Sequence, residues 1–147
     1  MTSMSASTPG GDGEKISKPV PVPDESSREF FEGARQGRLM IQRCLACKNY
    51  RFLARARCDV CRSPEFAWEA ASGKASIVSY VTMHQRYHAG FFDELPYPLA
   101  VVELEEGPRL VTSLVGVEEV TLKAGMPMKV VFREVDEGVF LPKFTPA

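Results

Sequence analysis

Helical spacing of apolar residues marks one short segment near the start of the chain. Phe30, Phe31 and Ala34 place apolar side chains on one face, and Gly37 follows as a stop signal. We therefore expect a single short helix over residues 26–36.

The sequence before this helix is polar. Residues 1–23 are rich in Ser, Gly and Pro, which predicts a flexible N-terminal arm. Ser26 is followed three residues later by Glu29, the spacing of a capping box, so the helix is expected to begin there. The helix region, with its flanking residues, is expected to span residues 24–40.

The second half of the chain has the pattern of strands. β-Branched and aromatic residues form short runs separated by Pro and Gly turns, and residues 117–123 are expected to form a turn or short helix. Several short strands in succession favour a small closed barrel over residues 71–147. The five predicted strands are 75–83, 99–104, 109–115, 128–135 and 139–144.

Composition and charge narrow the class of protein. The chain has 147 residues, 44% hydrophobic and 25% charged, with a net charge of −1, which excludes wholesale disorder and a generic polycation. No apolar run approaches the roughly 18 residues of a membrane helix, and the first residues have no secretory signal pattern. We therefore expect a cytosolic protein that does not enter membranes. In the reducing cytosol, paired cysteines indicate metal or redox chemistry and not disulfides.

All four cysteines lie in residues 41–70, as two Cys-x-x-Cys pairs. Cys44 and Cys47 form the first pair and Cys58 and Cys61 the second, the pattern of a zinc ribbon with four thiolate ligands. The alternatives are a redox dithiol or two buried thiol pairs, but the βαβ pattern of redox proteins is absent. We expect structural Zn²⁺, because four thiolates leave no open position for catalysis.

Basic residues concentrate around the cysteines. Residues 42–62 contain six basic side chains and one acidic one, whereas residues 93–147 are acidic on balance. The guanidinium group of arginine binds phosphates and carboxylates through paired hydrogen bonds. The ribbon could therefore bind coenzyme A, an acidic partner protein or nucleic acid. The candidate contacts are Arg43, Lys48, Arg51, Arg55 and Arg57.

A second candidate region follows the first barrel strand. It contains both histidines, His84 and His88, and three aromatic residues. Histidine is a common general base, but no nucleophile motif accompanies this pair, which favours exposed loop histidines. Tyr87, Phe91 and Phe92 are instead candidates for lining an acyl or pantetheine path.

The order and spacing of these features resemble one known family. It is the acyl-CoA-associated zinc-ribbon/OB-fold family, long described as a domain of unknown function. The resemblance implies a mainly β protein with an N-terminal helix, a rubredoxin-like zinc ribbon and a five-stranded OB-type barrel. It spans residues 26–145 and is carried by Phe30, Phe31, the run 37–47, Phe52, Cys58, Cys61, Trp68, Gly73, and the runs 96–104 and 106–110.

Two departures from the family pattern stand in the ribbon. The family often has Gly after each Cys-x-x-Cys, where a tight knuckle favours positive φ, and this chain has Lys48 and Arg62. The family also often has Pro-Pro-Arg before the third cysteine, and this chain has residues 53–57 (Leu-Ala-Arg-Ala-Arg) instead. These differences predict a slightly altered metal cage and no role for the missing prolines.

The resemblance implies a non-catalytic role. Members are accessory partners of thiolase-like enzymes, including lipid-transfer-type aldolases of steroid side-chain degradation, and some associate with MaoC-type hydratases. We therefore expect an accessory subunit that helps to bind or channel acyl-CoA. Two alternatives stay open, a single-stranded nucleic-acid-binding OB-fold/zinc-ribbon protein and a small independent enzyme using His84 or His88. The acidic barrel disfavours the nucleic-acid alternative.

Overall fold

The computed structural model describes residues 16–147, and most of the expected arm at 1–23 lies outside them. Residues 16–25 have no regular secondary structure. No helix in the described range is long and apolar enough to cross a membrane. Residues 16–147 contain one helix, eight strands and two 3₁₀ turns (Ala89–Glu94 and Glu119–Thr121). The regular elements are α1 (Arg28–Arg35), β1 (Met40–Cys44), β2 (Tyr50–Arg51), β3 (Phe66–Ala70), β4 (Lys74–Met83), β5 (Tyr97–Leu104), β6 (Arg109–Ser113), β7 (Pro127–Asp136) and β8 (Val139–Pro146).

The start of α1 differs from the expected capping box. Ser27 occupies the N-cap and makes no side-chain cap bond, and the Ser26 hydroxyl donates to Asp24 instead of capping the helix. The Asp24 carboxylate also accepts from the Ser27 N–H at 2.8 Å and the Ser27 hydroxyl at 2.7 Å. The capping-box prediction was wrong, because a local aspartate turn competes for the two serines.

The turn at Asp24 is expected to order the start of α1 as long as the Asp24 carboxylate is ionised. Hydrogen bonds from Ser27 and then Ser26 lower the pKa of Asp24 from 3.8 to about 2. A depressed folded-state pKa means that the turn stabilises the fold fully above pH 3.8 and loses this effect as pH falls through about 2. We expect Asp24→Ala to increase amide hydrogen exchange in the first turn of α1 at neutral pH. Glu25→Ala is the control, and equal exchange in both variants would contradict the assignment.

The end of α1 is confirmed at Gly37. Gly37 has φ of 75° and its N–H bonds to the Ala34 carbonyl at 3.1 Å, while the Arg38 N–H bonds to the Gly33 carbonyl at 2.8 Å. This is a Schellman ending, which needs a left-handed residue that glycine provides without strain. A Cβ on Gly33 would lie 2.2 Å from Met40 Cγ, so glycine also lets the helix approach β1 closely.

The ribbon half is a three-stranded antiparallel sheet in the order β2-β1-β3. Gln42 in the central strand faces Arg51 on one side and Trp68 on the other. The two ends of β1 have different roles. Cys44, its last residue, belongs to the cysteine cluster, whereas Ile41 and the preceding Leu39 join the main hydrophobic core. The sheet therefore ties the cage to the rest of the molecule.

The barrel half confirms the expected five strands, in the order β6-β5-β4-β7-β8. A parallel bridge between Leu114 and Phe144 closes the sheet, with the Val115 N–H donating to the Phe144 carbonyl at 2.9 Å. This is the connectivity of an OB-type barrel. The core inside it is continuous with the ribbon and contains Leu39, Ile41, Ile77, Ala100, Val102, Leu104, Leu110, Leu114, Leu122, Met128 and Phe144.

Gly73 makes the joint between ribbon and barrel. Its φ is 83°, its carbonyl accepts from the Val130 N–H at 2.8 Å, and a Cβ there would lie 2.7 Å from Val130 Cγ1. Ala71 continues the joint by donating its N–H to the Leu39 carbonyl at 2.8 Å. Backbone bonds and a shared core thus fix the ribbon against the barrel.

Candidate functional site

The four cysteines lie together at one end of the ribbon. All four Sγ atoms lie within 4.8 Å of one another, with Cys44 to Cys61 at 3.5 Å and Cys47 to Cys58 at 3.6 Å. Tetrahedral zinc with bonds of about 2.3 Å places its sulfurs about 3.8 Å apart. The cluster therefore has the size and the donor set of a structural zinc cage.

Two equivalent knuckles build this cage. The Lys48 N–H bonds to the Cys44 carbonyl and the Arg62 N–H to the Cys58 carbonyl, both at 3.0 Å. Lys48 and Arg62 each have φ of 65°, the left-handed conformation that usually favours glycine. The chain thus keeps the tight knuckle geometry without glycine.

Backbone N–H groups prepare the two inner thiols for metal binding. Cys44 and Cys58 are buried, and Cys47 and Cys61 are exposed. The N–H of Cys47 is the main cause that lowers the pKa of the Cys44 thiol to about 6, and the N–H of Cys61 similarly lowers the pKa of Cys58. Hydrogen bonds to sulfur favour the thiolate, the form that binds zinc.

The structure separates the predicted basic contacts into two groups. Arg51 is 4% exposed, donates to Gln42 Oε1 at 2.6 Å and to the Arg55 carbonyl at 2.9 Å, and lies over the Phe66 ring. Its Nη1 is buried and has no acceptor among the described residues. Arg51 therefore stabilises the ribbon as a buried side chain and does not present its guanidinium group to solvent.

Arg43 is also engaged within the ribbon. It pairs with Glu69 at 3.4 Å and lies 4.9 Å from the centre of the Tyr50 ring. In contrast, Lys48, Arg55 and Arg57 are exposed and form no ion pair with another described residue. They are the predicted basic contacts that are available to an anionic group.

The aromatic loop, residues 84–92, lies against the barrel. Tyr87 is 82% exposed, Arg86 stacks 4.6 Å from the Phe92 ring centre, and Phe91 lies 6.5 Å from the centre of the Tyr97 ring at the start of β5. The predicted aromatic contacts therefore belong to the barrel half of the molecule.

The histidines do not form a recognisable catalytic arrangement. Both His84 and His88 are exposed. His88 Nδ1 accepts the Gly90 N–H at 3.0 Å, which caps the 3₁₀ turn that follows, and its ring lies 6.0 Å from Phe91. This geometry gives His88 a local structural role.

The segment before α1 crosses the aromatic loop, a feature that local patterns did not reveal. Lys18 forms an ion pair with Glu94 and places its ammonium 5.6 Å from the Phe91 ring centre. A Cβ on Gly90 would lie 2.8 Å from the Lys18 nitrogen and 2.9 Å from the Ser17 carbonyl oxygen. Glycine at position 90 therefore permits this close backbone approach.

We expect Gly90→Ala to displace the segment from the loop, because the added Cβ meets backbone atoms that cannot rotate away. Nuclear Overhauser contacts between Lys18 and the Phe91 ring should be lost, whereas Tyr87→Ala, at an exposed position of the same loop, should keep them. Persistence of these contacts in Gly90→Ala would contradict the observed packing.

An apolar pocket lies between α1 and the ribbon sheet. It has a volume of about 170 Å³ and continues around Phe52 onto the barrel surface. Residues from α1 and its N-cap, from the three ribbon strands and from the segment after β2 line it: Ser27, Phe30, Phe31, Met40, Ile41, Gln42, Arg51, Phe52, Leu53, Ala54 and Trp68. Phe30 and Phe31 therefore pack against each other and also line this pocket.

Family models match both halves of the chain. Residues 31–67 match the rubredoxin-like zinc ribbon domain of ChsH2, and residues 68–133 match the C-terminal OB-fold domain of ChsH2. The chain belongs to the ChsH2/DUF35 family. The expected helix, zinc ribbon and OB-fold are confirmed, and membership with the four-thiol cage supports structural zinc.

Relatives in this family carry two kinds of name. A DUF35 domain-containing scaffold protein of Pyrococcus furiosus is 36% identical over 93 residues, covering 62% of this chain and 68% of the relative. A "Probable enoyl-CoA hydratase alpha subunit" of Thermomonospora curvata is 40% identical over 133 residues, covering 90% of this chain. This chain spans only 41% of the length of that hydratase-named relative.

Two solved structures share the fold. A chain of a structure named Ltp2-ChsH2(DUF35) aldolase is 40% identical, superposes with a TM-score of 0.77, and covers 86% of this chain and 98% of its own length. A DUF35 protein of unknown function from Sulfolobus solfataricus has a TM-score of 0.57 at 15% identity, covers 84% of this chain and 86% of its own length, and agrees in fold alone.

Proposed function

We propose that the protein is a non-catalytic accessory subunit of a thiolase-like enzyme that acts on acyl-CoA. The observation that carries this proposal is the 40% identical chain that was solved as part of an Ltp2-ChsH2 aldolase, matched over 98% of its length. The scaffold names of other relatives support the same role. We assign the partner to the lipid-transfer-type aldolases, with steroid or lipid side-chain degradation as the pathway class.

The zinc cage takes a structural part in this proposal. Cys44, Cys47, Cys58 and Cys61 are the four ligands, and zinc keeps the ribbon folded although its sheet is small. Reduced thiols of this kind suit a cytosolic protein. The cage supplies no reactive position, since four thiolates complete the coordination of zinc.

The proposal includes contact with acyl-CoA. Arg55 and Arg57 remain exposed on the ribbon and suit the phosphates of coenzyme A or carboxylates of the partner. The aromatic loop, with Tyr87 most exposed and Phe91 and Phe92 half-buried behind it, suits the acyl or pantetheine part. In this proposal the phosphates lie on the ribbon and the acyl chain lies on the barrel loop, and the partner subunit completes the site between them.

Recovery of the tagged chain from its native host, with mass spectrometry of bound proteins, tests the partner role. We expect a thiolase-like protein in near-stoichiometric amount. A MaoC-type hydratase in its place would assign the chain to the second partner class, which the hydratase-named relative favours. Recovery of the chain alone at low salt, or with nucleic acid, would contradict the proposal.

A further inference from the structure

The segment after β2 and the outer barrel surface together form one exposed apolar face. The pocket beside α1 and two concavities on the barrel all adjoin Phe52, and one of these concavities is also lined by Leu53, Val101 and Val111. A further concavity on β4 and β5 shares Val101 and Val111. We call Phe52, Leu53, Val101 and Val111 the Leu53 face.

Two of the four side chains of this face are largely exposed, and Phe52 and Val101 are half-buried beside them. Leu53 is 64% exposed and Val111 is 71% exposed, and Val81, which lines the adjoining concavity, is 59% exposed. Val111 pairs directly with Val101 across β5 and β6, so the apolar surface is continuous between the two strands. Contiguous exposed apolar surface of this kind marks interaction sites in soluble proteins.

The backbone at Leu53 gives a second, independent observation. Leu53 has φ of 66°, a left-handed conformation that costs a non-glycine residue about 1 kcal/mol or more. The side chain of Leu53 is nevertheless exposed, so the isolated chain gains little burial of this leucine in return for the backbone strain. Strain that persists at an exposed apolar residue points to a use outside the core.

The surroundings of the face indicate the chemistry of its occupant. Arg55 and Arg57 follow Leu53 closely in the chain, are exposed and form no ion pair with another described residue. Arg109 lines the same concavity as Leu53, and we call Arg55, Arg57 and Arg109 the arginine rim. Basic side chains beside an apolar centre are complementary to a protein surface with apolar side chains and flanking carboxylates. The chain's own first fifteen residues offer only two methionines as large apolar side chains, and are a poor match.

We propose that the Leu53 face is the surface on which the enzyme subunit docks, through an apolar patch flanked by carboxylates. This inference rests on the proposed function and adds the location of the interface to it. The pocket beside α1 extends the same contact and would receive a partner side chain. The arginine rim would set the orientation and make the association salt-dependent.

The test uses the full chain with glutamate placed on the face. Tagged wild type, Leu53→Glu, Val111→Glu and Val120→Glu are recovered from the native host, and the thiolase-like protein is quantified relative to the bait. Val120 is 88% exposed, lies in the 3₁₀ turn Glu119–Thr121 and lines none of the concavities that form the face, so it is the matched control. Zinc content and circular dichroism establish that each variant is folded.

We expect Leu53→Glu and Val111→Glu to recover about tenfold less of the thiolase-like protein, or even less, than wild type and Val120→Glu do. Each face variant would bury an unpaired carboxylate at the interface. Equal retention by all four baits would overturn the interface while leaving the proposed function intact. Absence of a thiolase-like protein from wild type would overturn both. Size-exclusion chromatography with light scattering gives the oligomeric state of the purified chains. A wild-type homodimer that Leu53→Glu converts to a monomer would identify a second copy as the occupant and would also overturn the inference.

Discussion

Cys44→Ser is expected to remove the metal and unfold the ribbon. Zinc should fall from about one ion per chain to a small fraction of that value, because serine is a poor zinc ligand and three thiolates cannot complete the cage. Cys44 is also the last residue of β1 and is fully buried, so losing the metal there disorders the central ribbon strand. Elemental analysis of the purified protein measures the zinc content, and amide hydrogen exchange reports order in residues 40–70.

Asp59→Asn provides the control for this variant. Asp59 lies between the third and fourth cysteines, is exposed, and is not among the four clustered side chains. It should keep zinc at the wild-type level. If Cys44→Ser retained full zinc and an ordered ribbon, the four-thiol cage would be the wrong assignment.

Phe144→Ala is expected to cause the largest loss of stability in the barrel, about 3–5 kcal/mol in the free energy of unfolding. Phe144 is 0% exposed, and its backbone closes the barrel against Leu114 and Val115. Removing the ring leaves a cavity at the seam where β6 and β8 meet. The urea midpoint at equal m-value measures the change.

Phe144→Leu separates the cavity from the loss of an aromatic ring. Leucine fills most of the space, so this variant should lose a smaller amount, about 1–2 kcal/mol. If Phe144→Ala lost less than about 1 kcal/mol, the barrel seam would not be a principal source of stability.

Local patterns predicted the elements whose causes are local. The four cysteines could be identified as a cage because spacing within each Cys-x-x-Cys pair already brings two sulfurs together. The helix end at Gly37 and the barrel strands followed from turn residues and β-branched runs for the same reason. The capping box failed because Asp24, two residues upstream of Ser26, offered both serines a competing acceptor.

Features that depend on distant contacts could not be predicted. Arg51 looked like a phosphate contact, but its cross-strand neighbour Gln42 and the Phe66 ring hold it inside the ribbon. The contact of Lys18 with Phe91 and Glu94 joins positions more than 70 residues apart. The Leu53 face likewise combines a ribbon segment with the barrel strands β5 and β6.

The accessory role itself is tested most directly by reconstitution of acyl-CoA turnover. The purified thiolase-like partner is assayed alone and with the chain, and the chain is assayed alone. We predict no turnover by the chain alone, and for the partner without the chain either insolubility or at least about tenfold lower activity. Turnover by the isolated chain that His84→Ala or His88→Ala abolishes, or a partner equally active without the chain, would contradict the accessory role.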